Sequence, residues 1–273
     1  MFMRLGMNDF GMTPTAGMRV TIGAIFLLPI IFWKGHTTTL VANWKKVFFI
    51  GILNSALPFV CISFALQTLG TSLLSVLNAT VPLFGALVAW VWLKDRPNSQ
   101  RILGLSIGFL GITMLAWNKV GIQAPENQVK FATAVLSGIC ACISYGISAS
   151  YTRKYLTGLP SLVTATGSQI GASLCLLPFT YWLWPIQSPS WSAWIAVLFL
   201  GIVCSGIAYM LFFRLIETIG PARALTVTFA VPVFASFYGV VFLDEHISAW
   251  MLMCAGIIIC GTALSAGLFS LKK

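Results

Sequence analysis

Few residues in this chain could do chemistry, and almost all of them are uncharged. Six Asp and Glu and two His occur in 273 residues. Asp9, Asp95, Glu126, Asp244 and Glu245 fall in joints between apolar runs, as do His36 and His246. Transfer or hydrolytic chemistry needs a His or carboxylate positioned beside an activated group, and no such cluster is present. A phosphate-cradling glycine loop and metal-ligand spacing are missing as well. The seven cysteines all lie inside apolar runs and read as small packing residues. No catalytic residue, metal or other cofactor is called for, and an enzyme is not expected.

What remains suits binding. Residues at i, i+4, i+7 and i+11 share one side of a helix, so polar side chains at that spacing mark a face that avoids lipid. Thr71, Ser75, Asn78, Pro82 and Gly85 form one such stripe, and Thr228, Pro232, Ser236 and Gly239 form another. Ser137, Ser144, Ser148 and Tyr151 share a third, with Tyr145 beside it. The candidate substrate-binding residues are Asn54, Asn78, Ser144, Tyr145, Tyr209, Thr228 and Arg19. A buried carboxamide carries donors and acceptors that hydrocarbon leaves unsatisfied. Tyrosine joins an aromatic plane to a hydroxyl, which suits a zwitterion with an apolar side chain. Arg19 is the one basic residue clearly inside a span, where a charge marks function or snorkels to the headgroups. Ser, Thr and Gly at helix contacts also serve close packing, and Gly104-x-x-x-Gly108 reads as such a contact. Pro82 and Pro232 are the candidate hinges, since each frees a backbone carbonyl that lipid cannot satisfy.

The elements that position these residues follow from composition. Hydrophobic residues make up 58% of the chain and charged residues 8%, with a mean hydropathy of +0.92. Soluble domains carry about 25% charged residues, so the solvent here is lipid. A bilayer core of about 30 Å needs about 20 apolar residues per helix. Nine runs meet that length, near 15–33, 47–67, 71–93, 102–118, 131–151, 161–184, 191–213, 219–243 and 248–269. No joint is long enough for a soluble domain. Alternate joints hold twelve of the sixteen Lys and Arg, from Lys34, Lys45 and Lys46 to Lys272 and Lys273. Basic residues in short loops stay cytoplasmic, which puts the C-terminus inside. The net charge of +10 therefore reports topology and calls for no nucleic acid.

The chain also repeats itself. An offset of 150 positions pairs Trp44 with Trp194, Gly51 with Gly201, Ser55 with Ser205, Gly70 with Gly220 and Val81-Pro82 with Val231-Pro232. The register continues without a gap: Phe59 meets Tyr209, and Gly111 meets Gly261. Lys94-Asp95-Arg96 is basic where Asp244-Glu245-His246 is acidic, so equivalent joints face opposite sides of the membrane. That is the signature of an inverted-topology repeat, which places a site near the midplane. The halves are 1–118 and 131–273. Under the same offset the helix at 131–151 has no counterpart, so the first half is expected to lack its first helix. The fold expected is an all-α polytopic membrane protein, about nine transmembrane helices of a ten-helix architecture in two inverted bundles.

These features resemble the EamA-type transporters of the drug/metabolite transporter superfamily. The resemblance rests on Thr13-Pro14 through Arg19 and on Gly70 through Pro82 with Leu93 and Asp95. It rests equally on Gly220 through Pro232, continuing to Leu243-Asp244-Glu245-His246 and the Gly256 and Gly261 helix. It implies ten helices in two inverted five-helix bundles, exporting small metabolites such as amino acids or related compounds from the bacterial cytoplasm. The near absence of ionisable groups within the spans leads us to expect alternating access, by rocking of the two bundles around a mainly neutral cavity. The expected location is the bacterial inner membrane. The partners implied are a small-molecule substrate and the lipid bilayer, with a homo-oligomer compatible with both. The competing readings are a truncated, non-transporting relic or scaffold, and a membrane-embedded transferase.

Overall fold

The computed structural model describes residues 2–96, 98–120, 125–219, 224–225, 227, 231, 234, 238, 240–241 and 248–265, without the side chains of residues 72, 115–120, 125–127 and 219. Among these residues every regular element is helical: α1 (Phe2–Phe10), α2 (Met12–Trp33), α3 (Thr37–Ala42), α4 (Trp44–Gly51), π1 (Ile52–Ala56), α5 (Leu57–Leu66), α6 (Thr71–Asn78), α7 (Val81–Leu93), α8 (Ser99–Val120), α9 (Pro125–Tyr155), α10 (Ser161–Trp182), α11 (Trp191–Phe199), π2 (Leu200–Ile207), α12 (Ala208–Ile219) and α13 (Ala249–Ser265). Helix is what a lipid-embedded chain must form, because it satisfies every backbone group within the segment.

Among the described residues, six segments are long and apolar enough to cross a membrane: Met12–Trp33, Trp44–Leu66, Leu73–Leu93, Gln128–Tyr155, Ser161–Trp182 and Trp191–Thr218, with α13 as a shorter apolar helix. They coincide with six of the nine expected runs. The run at 102–118 lies within α8, that at 248–269 overlaps α13, and that at 219–243 falls mostly outside the described residues. Their outer surfaces are apolar: Trp33 is 91% exposed, Tyr181 and Trp182 87% each. Such faces are a liability in water and are stable against lipid.

Two departures from simple helices matter. Trp44–Leu66 and Trp191–Ile219 each run through a π-helical stretch, π1 and π2. π-turns widen the helix locally and recur at functional sites. Between α6 and α7 the helix pauses at Ala79–Thr80, where Thr80 Oγ1 donates to the Leu77 carbonyl at 2.6 Å. The pause comes just before Pro82, which has no N–H and crowds the preceding turn; Pro82 itself is buried.

The chain forms two compact units, and each draws on both sequence halves. One comprises the described residues within 64–150 and 225–265; the other comprises those within 2–63 and 151–224. In the first, α8 and α13 pack antiparallel. Gly104 faces the Gly261 carbonyl and the Ser265 amide, Gly108 lies against Gly261, and Gly111 meets Ile258. A side chain on any of these glycines but Gly111 would meet backbone or a packed leucine, as the G-x-x-x-G spacing expects. In the second unit, α2 and α10 pack antiparallel: Gly17 lies against Thr180, Thr21 bonds Ser173 at 2.7 Å, and Gly23 faces Gln169. Below this pair sits a core of Leu27, Ile31, Val47, Ile50, Val163 and Phe213. The short α1 was not foreseen from periodicity. Its Phe10 packs edge-on against Trp184 and Trp194, at 5.6 and 5.0 Å between ring centroids.

Candidate functional site

The two π-helical stretches lie in the second unit, and polar side chains gather on them. Arg19, on α2, donates from Nε to Ser205 Oγ at 2.7 Å and from Nη2 to the Cys204 carbonyl at 3.4 Å, both acceptors belonging to π2. Its guanidinium carbon lies 3.8 Å from the centre of the Phe59 ring, a cation–π distance. Gln169, on α10, donates from Nε2 to Ser55 Oγ of π1 at 3.2 Å. Tyr209 donates its hydroxyl to the Asn54 carbonyl of π1 at 2.8 Å. Pro58 has no N–H with which to make the α-helical bond to that carbonyl, so the phenol supplies a donor in its place. Phe59 and Tyr209 meet edge to face, 6.3 Å apart at 87°.

Burial makes the cluster costly to leave incomplete. Ser55, Ser205 and Gln169 are fully buried, and Asn54 is 3% exposed. Two amide groups nonetheless lack partners: Asn54 Nδ2, a donor, and Gln169 Oε1, an acceptor. Arg19 is half-buried and has no carboxylate partner among the described residues; the one ion pair there joins Arg101 to Asp95 at 3.9 Å, in the other unit. Gly23 lets α2 pack closely against π2 and α10 here. A Cβ on it would stand 3.1 Å from Ser205 Cβ and 3.4 Å from Gln169 Oε1, so the two side chains approach one point.

Of the residues picked from the sequence, Arg19, Asn54 and Tyr209 come together in this unit. Asn78 and Ser144 lie in the other, where Cys142 Sγ donates to the Leu77 carbonyl at 3.4 Å and approaches Asn78 Oδ1 at 3.8 Å. Ser144 is buried there and Tyr145 half-buried. Thr228 and Pro232 lie outside the described residues. Arg19 turns toward π2, bonding Ser205 and Cys204. Gln169 was missed, although the signal existed: the 150-residue offset pairs it with Arg19. No three His, Cys, Asp or Glu gather into a metal-holding group among the described residues.

A family model described as the EamA-like transporter family matches residues 1–117 and 132–267. The chain belongs to that family. It is 24% identical over 275 residues to an uncharacterized transporter of Bacillus subtilis, YoaV, covering 99% of this chain and 92% of that protein. It is 24% identical to the uncharacterized inner membrane transporter YedA of Escherichia coli K12, covering 96% of this chain and 83% of that protein. A probable terminal-alkyne amino-acid exporter of Streptantibioticus cattleyicolor is 29% identical, over 36% of this chain and 34% of that protein. A crystal structure of an unnamed protein superposes with a TM-score of 0.70 at 17% identity, covering 99% of this chain and 94% of its own. That likeness extends to the fold. Membership in the family makes this EamA chain a membrane transporter acting on small molecules from within a lipid bilayer.

Proposed function

We propose that this EamA-family chain exports small metabolites, amino acids or related compounds, across the bacterial inner membrane by alternating access, with its C-terminus in the cytoplasm. The observation that carries the reading is the half-buried Arg19, held on π2 without a carboxylate partner among the described residues. An intramembrane charge is costly and persists where it serves transport or recognition. The amino-acid exporter among the relatives supports the substrate class over the segment it shares.

Inverted repeats spanning 1–118 and 131–273 are part of the same proposal. Several contacts support them. Arg19 reaches Ser205 while Gln169 reaches Ser55, and the offset of 150 turns each pair into the other. Phe59 and Tyr209 are equivalent positions that touch each other, as residues beside a local two-fold axis do. α8 and α13 repeat the pattern in their own unit, Gly108 against Gly261 and Gly111 against Ile258. Both equivalent helix pairs run antiparallel, as inversion requires. Asn54, Asn78, Ser144, Tyr145, Tyr209, Thr228 and Arg19 remain the proposed substrate contacts, with Pro82 and Pro232 as bending points.

Counterflow tests the reading. Proteoliposomes loaded with an unlabelled amino acid should take up the same labelled compound against a control lacking protein. No exchange for any of the common amino acids would return the chain to the scaffold or relic reading.

A further inference from the structure

We infer that Arg19 is the carboxylate-binding residue of the transported molecule, and that Gln169 and Asn54 complete a subsite for a carboxylate beside an N–H donor. The inference rests on the exporter reading only for its substrate class. Its first support is an internal control. Arg19 and Gln169 are equivalent positions, and each bonds the serine of the opposite π-helical stretch. A neutral amide therefore suffices for that structural bond, as Gln169 demonstrates. The positive charge at position 19 is not needed to make it, and a charge in lipid has to be matched by something.

The second support is the tally of unfilled groups. A guanidinium has five N–H donors; Arg19 commits one to Ser205 and one to Cys204, leaving three. Its plane is steadied by the Phe59 ring, which fixes the fork that a carboxylate accepts in bidentate fashion. Asn54 Nδ2 offers a further buried donor and Gln169 Oε1 a buried acceptor. Gln169 Oε1 and the Ser205 side chain converge above Gly23, so the acceptor sits beside the residue Arg19 holds. The complement of this set is an anion carrying a neighbouring N–H, as in an α-amino acid. With no carboxylate against Arg19 among the described residues, a cationic amide or ester of the same compound lacks a counterpart here. The Phe59 and Tyr209 rings favour an apolar side chain.

The test uses the full chain in nanodiscs, with L-leucine and L-phenylalanine as probes and their carboxamides as controls at fixed ionic strength. Wild-type protein should be stabilised against thermal unfolding by the acids and not by the amides. Arg19→Gln copies the equivalent residue and should stay folded, while its apparent affinity for the acids falls by about tenfold or more. Arg19→Lys, which keeps the charge and loses the fork, should fall between. If wild-type protein shows no preference for acid over amide, or if Arg19→Gln retains that preference, the assignment is overturned. Should Arg19→Gln fail to fold, phenylglyoxal labelling of the wild-type protein decides: the acids should shield Arg19 and the amides should not, and equal labelling overturns the assignment. Counterflow is a separate measurement. A protein that discriminates acid from amide yet exchanges neither refutes the exporter reading and supports this subsite.

Discussion

At the scale of single residues, the contacts on π1 and π2 answer a backbone problem with side chains. Pro58 cannot donate to the Asn54 carbonyl, and Tyr209 does so at 2.8 Å. Tyr209→Phe should therefore lower stability by about 1 kcal/mol, the net worth of one hydrogen bond, read as a lower melting temperature of the purified protein. In a Pro58→Ala background the amide returns, and the same substitution should cost less; equal costs in both backgrounds would mean that the phenol does not stand in for the missing N–H. Asn54 and Tyr209 were legible in the sequence because a carboxamide and a phenol stand out in an apolar span. Gln169 stands out in the same way and was overlooked, because the 150-residue offset was followed through glycines, prolines and aromatics and not from Arg19 to its equivalent. The direction of Arg19 could not be read: whether an arginine near a span end turns to headgroups or protein depends on the close approach of α2 to π2 that Gly23 and Gly201 permit, which only the packed pair reveals.

At the scale of elements, helix existence followed from apolar length, and the limits of that reading have physical causes. α2 begins at Met12, three residues before the expected run, because an apolar count sees lipid-facing residues and not the Thr-Pro start. The π stretches were invisible because one extra residue per turn hardly disturbs an average over 20 apolar positions, whereas the paired Gly51 and Gly201 were plain. Glycine contacts give a sharp test of packing. Gly261→Ala would push a methyl into the Gly108 amide and within 2.8 Å of the Gly104 carbonyl, where backbone cannot yield; it should destabilise by about 1 to 3 kcal/mol. Gly256→Ala, on the same helix with open space around it, should be neutral or stabilise by up to about 1 kcal/mol. The melting temperatures of the two variants check the difference. α1 gives a pH test. Asp9 accepts hydrogen bonds from the Ser190 hydroxyl and, at 2.9 Å, from its amide, and these hold its carboxyl below the ordinary value of 3.8. A lowered carboxylate pKa stabilises the fold above the unfolded value and loses that effect as pH falls through the lowered one. Hydrogen exchange in α1, corrected for intrinsic rates, should rise as the medium drops below that ordinary value, and Asp9→Ala should show the raised exchange already at neutral pH.

At the scale of the whole molecule, charge and contacts independently support the inversion we propose. The joint at residues 94–96 is basic and its proposed equivalent at 244–246 is acidic, which under the positive-inside rule would put them on opposite sides. The antiparallel contacts of α2 with α10 and of α8 with α13 owe nothing to charge; they come from glycines and small polar residues. A chain whose halves pointed the same way would have no reason to pair equivalent helices head to tail in both of its units. The proposed inversion has a measurable consequence. In a background without the seven native cysteines, a cysteine at position 94 should react with an impermeant maleimide only when the cytoplasmic face is opened. One at position 246 should react in intact cells, and one at position 272 should behave like position 94. If positions 94 and 246 are labelled from one common side, the positive-inside assignment fails, and with it the inverted repeat and the alternating-access scheme that depends on two opposed halves. The reciprocal bonds of Arg19 and Gln169 would then be a local feature of one unit, and the carboxylate test on Arg19→Gln would still stand on its own geometry.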